Sequence, residues 1–139
     1  MQYMPDAVPG PEPSFDDATY WANCTEKKLT FQQCGSCKAF RHPPGPFCPK
    51  CQSDKIDWVA APEEAKLFSF TFIYHPAHEA VRGRIPYNVA VVSFPTLGGV
   101  RLITNIVDAD PGDLEIGMTV RLVWGKSGNG QTIPLFKKG

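Results

Sequence analysis

The sequence predicts a mainly β protein: a short N-terminal helix, a zinc ribbon, and a five-stranded barrel of the OB type. Three observations carry this. Two C-x2-C pairs stand ten residues apart, at Cys34/Cys37 and Cys48/Cys51. Period-two alternation begins at Lys66 and recurs in four later segments. Gly and Pro together make 26 of 139 residues, which leaves little room for long helices.

Residues 1–13 carry Pro5, Pro9, Gly10, Pro11 and Pro13 and read as a flexible arm. Residues 14–28 read as a helix. Ser14 is its expected cap, and Asp16 and Asp17 suit its positive end. Phe15, Ala18, Tyr20, Trp21, Ala22 and Cys24 form its apolar stripe, and Lys27 and Lys28 suit its C-terminus. So short a helix cannot bury itself, so Phe15 and Trp21 must pack on the rest of the chain or on another chain. Cys24 reads as a small buried hydrophobe.

Residues 29–60 form the expected ribbon. Thiolates suit the tetrahedral shell of Zn2+, and each C-x2-C turn folds two sulfurs onto one ion while aiming backbone N–H groups at them. Gly35 and Pro49 are turn residues inside the two knuckles. Four protein ligands leave no open position, so the expected ion is structural, one per chain. Iron fits the same ligand set chemically. Lys38, Arg41, Lys50 and Lys55 lie close enough in sequence to balance the net −2 charge of four thiolates and Zn2+. A segment this small has too little core to fold alone, so the metal should supply much of its stability.

Residues 61–139 form the expected barrel. Phe68, Phe70, Phe72 and Tyr74 share one face of its first strand and read as core. Residues 88–94, 100–107, 119–124 and 133–136 supply the other strands. Thr96 to Gly99 makes a hairpin turn, and Asp108 to Gly117 a short capped turn. This order suits a small Greek-key barrel.

Formal charge is zero, with 14 basic and 14 acidic residues. The barrel half (62–139) has eight basic and seven acidic residues, too weak a balance for a groove that tracks a phosphate backbone. The longest stretch free of formal charge, Ile85 to Val100, has 16 residues and includes two prolines, so no transmembrane helix is expected. The N-terminus lacks the basic and apolar regions of a signal peptide, and a cytoplasmic location is expected. With five cysteines, an odd number, and four of them in tight pairs, metal is favoured over disulfides.

Leu29-x-Phe31-Gln32-x-Cys34-x-x-Cys37, Phe40-Arg41-x-Pro43-Pro44, Phe47-Cys48-Pro49-x-Cys51, Trp58-Val59, Leu67 to Thr71, Ile85-Pro86-Tyr87, Leu102 to Ile106, Ile116-Gly117-Met118-x-Val120 and Ile133 to Phe136 run in a familiar order. With the acidic helix before them, they resemble the zinc-ribbon plus OB-fold proteins grouped as "domain of unknown function 35", over nearly the whole chain from Phe15 to Phe136. The resemblance implies a rubredoxin-like ribbon and a barrel that binds acyl-CoA. It also implies a non-catalytic partner subunit of a thiolase-fold enzyme (a thiolase, an acyl-CoA retro-aldolase or a related acyltransferase), in a hetero-oligomer of lipid metabolism. All four cysteines carry over. No catalytic residue does.

Within that frame Arg82 and Arg84, in the loop after the first barrel strand, are the candidates to hold the phosphates of acyl-CoA. Phe15, Tyr20 and Trp21 are the candidate partner interface. His42, His75 and His78 are the only histidines, and no nucleophile is evident beside them. The alternative class is a nucleic-acid-binding ribbon and barrel, by analogy of fold, against which the charge balance argues.

Overall fold

The computed structural model describes residues 2–139. One helix, α1 (Ala18–Thr25), precedes eight strands: β1 (Thr30–Cys34), β2 (Phe40–Arg41), β3 (Ile56–Ala60), β4 (Glu64–Ile73), β5 (Tyr87–Phe94), β6 (Val100–Thr104), β7 (Thr119–Lys126) and β8 (Thr132–Lys138). The first three strands form an antiparallel sheet in the order β2-β1-β3. The other five form a second sheet in the order β6-β5-β4-β7-β8. A parallel bridge between Ile106 and Phe136 joins its two ends, through Val107 N–H to Phe136 O (2.7 Å) and Phe136 N–H to Asn105 O (3.1 Å). Four antiparallel pairings closed by one parallel contact make the expected OB barrel.

Ribbon and barrel share one core. Phe31 of β1 meets Phe94 of β5 at 5.1 Å between ring centroids, and Phe94 meets Phe136 of β8 at 6.2 Å. All three rings are fully buried, together with Leu67, Val92 and Val120. Offset and edge-on aromatic contacts of this kind add to the area they bury. Tyr20, Cys24 and Leu29 extend the cluster under α1.

The first barrel strand departs from the expected alternation. The β4–β5 register runs from Leu67↔Val92 to Ser69↔Val91, so Phe68 is an extra residue with no partner of its own. Such a bulge reverses the parity of the residues after it. Ala65 and Leu67 point inward before it, and Phe70 and Phe72 pack against the core after it. The expected core row is therefore corrected at both ends: Phe68 is 45% exposed and Tyr74, beyond the strand, 64%.

The helix is shorter than the segment 14–28. Ser14 donates from its backbone N–H (2.6 Å) and hydroxyl (3.1 Å) to the Asp17 carboxylate, and Asp17 takes the N-cap position. Ser14 is thus a donor to the cap residue and not the cap, because Asp17 spends its carboxylate on Ser14. At the other end Lys27 turns left-handed (φ 59°) and stops the helix.

The arm differs most from expectation. Tyr3 is buried against Val107 and Leu135. Its hydroxyl accepts from both the backbone N–H and the side-chain Nδ2 of Asn88, each at 3.1 Å. Asn129 Nδ2 donates to Pro11 O at 2.8 Å, and Asp6 lies so close to Gly128 that any β-carbon there would overlap its backbone. A single phenol with a buried pair of donors therefore converts the start of a proline-rich segment into a strap across the barrel.

Candidate functional site: a four-cysteine centre and an apolar cleft

The two knuckles have matching geometry. Cys34 N–H bonds Ala39 O and Lys38 N–H bonds Cys34 O; Cys48 N–H bonds Ser53 O and Gln52 N–H bonds Cys48 O. The residue after each second cysteine, Lys38 (φ 67°) or Gln52 (φ 64°), is left-handed and turns the chain back. Gly35 is needed for a close approach, since a β-carbon there would sit 2.8 Å from Lys55 Cβ.

The four sulfurs lie within 4.8 Å of one another, with Cys34–Cys51 at 3.5 Å and Cys37–Cys48 at 3.6 Å. A tetrahedral zinc–thiolate site with bonds of about 2.3 Å requires sulfurs about 3.8 Å apart. Ser36 and Cys37 N–H both point at Cys34 Sγ, and Lys50 N–H points at Cys48 Sγ, each at 3.4 Å. These amides favour the thiolate. The Cys37 backbone N–H chiefly draws the Cys34 thiol down to about 6, and the Cys51 backbone N–H chiefly lowers Cys48. Cys51 is helped by the Ser53 amide, but the crowding sulfur of Cys34 and burial push it up to about 11. Four mutually close thiols cannot all ionise without a cation between them, and a divalent ion relieves that conflict. The donor set therefore fits one metal ion. Of the expected balancing charges, Lys38 pairs with Asp57 at 3.8 Å, while Arg41 donates from Nη2 to Gly45 O.

The two candidate arginines engage different partners. Arg82 donates from Nε to Glu79 (2.6 Å) on the surface. Arg84 donates from Nε to Tyr3 O (2.9 Å), and its guanidinium lies 4.3 Å over the Tyr3 ring. Both leave their terminal nitrogens without a protein partner among the described residues. The strap contact to Arg84 was missed in the sequence because nothing local links positions so far apart.

The candidate interface trio also divides. Phe15 is wholly exposed. Tyr20 is corrected to a core residue, packed edge-on to Trp21 and against His42 at 5.1 Å. Trp21 is half-buried and its backbone O accepts from Gln131. His42, between Tyr20 and Phe31, is held neutral by burial, with its pKa lowered to about 4. Burial raises the Cys24 thiol to about 11, as suits a core cysteine. His78 Nδ1 accepts from Ala80 N–H (3.0 Å) and caps a single helical turn.

Tyr20, Trp21, His42, Pro43 and Pro44 line a cleft of about 680 Å³ together with Phe68, Arg101 to Asn105 and Ile133 to Leu135. Its walls are mainly apolar, a feature invisible in the sequence because they come from widely separated segments of the chain. No helix among the described residues is long and apolar enough to cross a membrane.

A zinc ribbon fused through a common core to an OB barrel defines a two-module class of protein. Residues 21–57 match the family pattern described as "ChsH2, rubredoxin-like zinc ribbon domain", and residues 58–125 match "ChsH2, C-terminal OB-fold domain". The chain belongs to this ChsH2/DUF35 family. It is 38% identical over 129 residues to a probable enoyl-CoA hydratase alpha subunit of Thermomonospora curvata, covering 93% of this chain but 39% of that protein. The chain thus spans about two-fifths of that relative's length. It is 30% identical over 108 residues to a DUF35 domain-containing scaffold protein of Methanothermobacter thermautotrophicus, covering 76% of this chain and 79% of that one. Among solved structures, one titled "Ltp2-ChsH2(DUF35) aldolase" has a matching chain, with a TM-score of 0.82 at 37% identity over 93% of this chain and 98% of that one.

Proposed function

We propose that this chain is a non-catalytic partner subunit of a thiolase-like enzyme, supporting its assembly and contributing to acyl-CoA binding. The observation that carries the reading is the likeness, over 93% of this chain, to a chain of the structure named "Ltp2-ChsH2(DUF35) aldolase". The scaffold naming of a relative that this chain matches along most of its length points the same way. The closed set of four thiol donors gives the ion a structural role, with Cys34, Cys37, Cys48 and Cys51 as its ligands.

In this reading Phe15 and the exposed edge of Trp21 are aromatic anchors for the partner. The free terminal nitrogens of Arg82 and Arg84 take the phosphates of the coenzyme while the partner carries out the chemistry. The near-neutral barrel disfavours nucleic acid as the ligand.

The test is co-expression with a thiolase-type enzyme from the same genome. The two proteins are expected to elute as one complex, with the enzyme inactive or unstable alone. Separate elution with a fully active lone enzyme overturns the reading. Within the complex, Arg82→Ala with Arg84→Ala should raise KM for acyl-CoA and leave assembly intact.

A further inference from the structure

β6 is an end strand of the barrel sheet and pairs with β5 on one side alone. It meets β8 only at its last residue and beyond, through the Thr104 hydroxyl on Pro134 O (3.1 Å) and at the Ile106–Phe136 bridge. Upstream of Thr104 no strand pairs with its other side, and this stretch borders the cleft. Alternate residues of an edge strand turn their N–H and C=O groups away from their single neighbour. The cleft therefore offers a row of unpaired backbone groups among apolar walls. Natural edges of this kind are normally blunted by charge, proline or cover. Here Ile103 is 73% exposed and Phe68 45%.

The lining carries one basic side chain, Arg101, and one acidic one, Asp17. Arg101 lies 3.9 Å over the Phe68 ring and has no carboxylate within ion-pair distance among the described residues. Asp17, the acidic residue of the lining, is engaged by Ser14. An occupant with a carboxylate near Arg101 completes the site. An acyl chain would fill the apolar walls but seal the β6 amides away from water without partners, at a cost. An extended peptide satisfies both walls and edge.

We propose that the cleft accepts an extended apolar segment of the partner protein, which adds a strand to the free edge of β6 and places a carboxylate against Arg101. This rests on the partner-subunit reading, and supplies its mode of docking.

The test uses the isolated, zinc-loaded, 15N-labelled chain, so its outcome is independent of whether a thiolase-type enzyme co-elutes. The probes are N-acetylated peptides of about seven residues, a strand's length, with Val, Leu or Phe alternating with Thr and a C-terminal Asp. Saturable shifts at residues 101–104 are expected, with slowed amide exchange along β6. N-methylation of alternate peptide amides should weaken binding about tenfold or more, the loss of one or two hydrogen bonds. Ile103→Lys should abolish it, and Arg101→Glu should reverse the preference from a terminal Asp to a terminal Lys amide. No shifts from any peptide, equal binding by the N-methylated forms, or decanoate acting at these resonances where peptides do not, would each overturn the proposal.

Discussion

The side-chain amide of Asn88 pairs with both backbone groups of Ile106, accepting from its N–H at 2.7 Å and donating to its C=O at 2.8 Å. Asn88 is fully buried, and its amide stands in for a backbone neighbour just where β6 has ended and the barrel closes. Truncation to Ala would leave two backbone groups of Ile106 without partners and take one of its two donors from the Tyr3 hydroxyl. Asn88→Ala should destabilise the chain by roughly 3 kcal/mol or more, read as a lower urea midpoint with unchanged slope.

Tyr3 should behave as a structural residue although it lies near the start of the chain. Tyr3→Phe removes the two bonds from Asn88 and should cost about 1–2 kcal/mol. Tyr3→Ala also opens a cavity against Val107 and Leu135 and should cost about 3 kcal/mol or more. Equal stability of wild type and both variants in urea would mean the strap is not held.

His42 predicts a pH dependence. Burial lowers its folded pKa to about 4 from 6.5, so the unfolded chain binds a proton more readily than the folded one between those values. Stability from this residue is full above pH 6.5 and falls as pH drops towards 4, by on the order of 3 kcal/mol. His42→Phe should flatten this part of the profile. Unfolding between pH 7.5 and 5, with released zinc monitored in parallel by a colour reagent, separates it from metal loss.

One zinc ion per chain is expected by elemental analysis. Chelation or Cys34→Ser should unfold the ribbon and lower the melting temperature of the barrel too, because Phe31 would no longer cover Phe94. A metal-free chain with unchanged near-ultraviolet circular dichroism would contradict this.

Phe15 and Trp21 should separate association from stability. Phe15 touches little in its own chain, so Phe15→Ala should leave the melting temperature unchanged while weakening assembly. Trp21→Ala should weaken both, since Trp21 also packs against the core. Titration calorimetry with the partner enzyme, beside thermal melts of the free chain, reads the two effects.

Much of the architecture was legible because its signals are local. A C-x2-C turn has nearly the same geometry wherever it occurs, so spacing alone predicted the convergence of Cys34, Cys37, Cys48 and Cys51. Alternation located the barrel strands, and paired glycines at Gly98 (φ 66°) and Gly99 (φ 74°) marked the hairpin between β5 and β6. Local signals failed at Phe68, where an uninterrupted alternation hides a bulge that is defined only by the register with the neighbouring strand. They failed again at Lys38 and Gln52, whose left-handed backbone no glycine announces.

What the sequence alone determined is the class of the fold and the ligand set of its metal, since both follow from spacing within a few residues. The tertiary structure decided the rest. It placed Tyr20 in the core while leaving Phe15 bare, tied Arg84 to Tyr3, and assembled the cleft from the helix, the ribbon and several barrel strands. Those outcomes depend on which surfaces compete for burial and which amides remain unpaired once the barrel closes, and that balance exists only when distant segments meet.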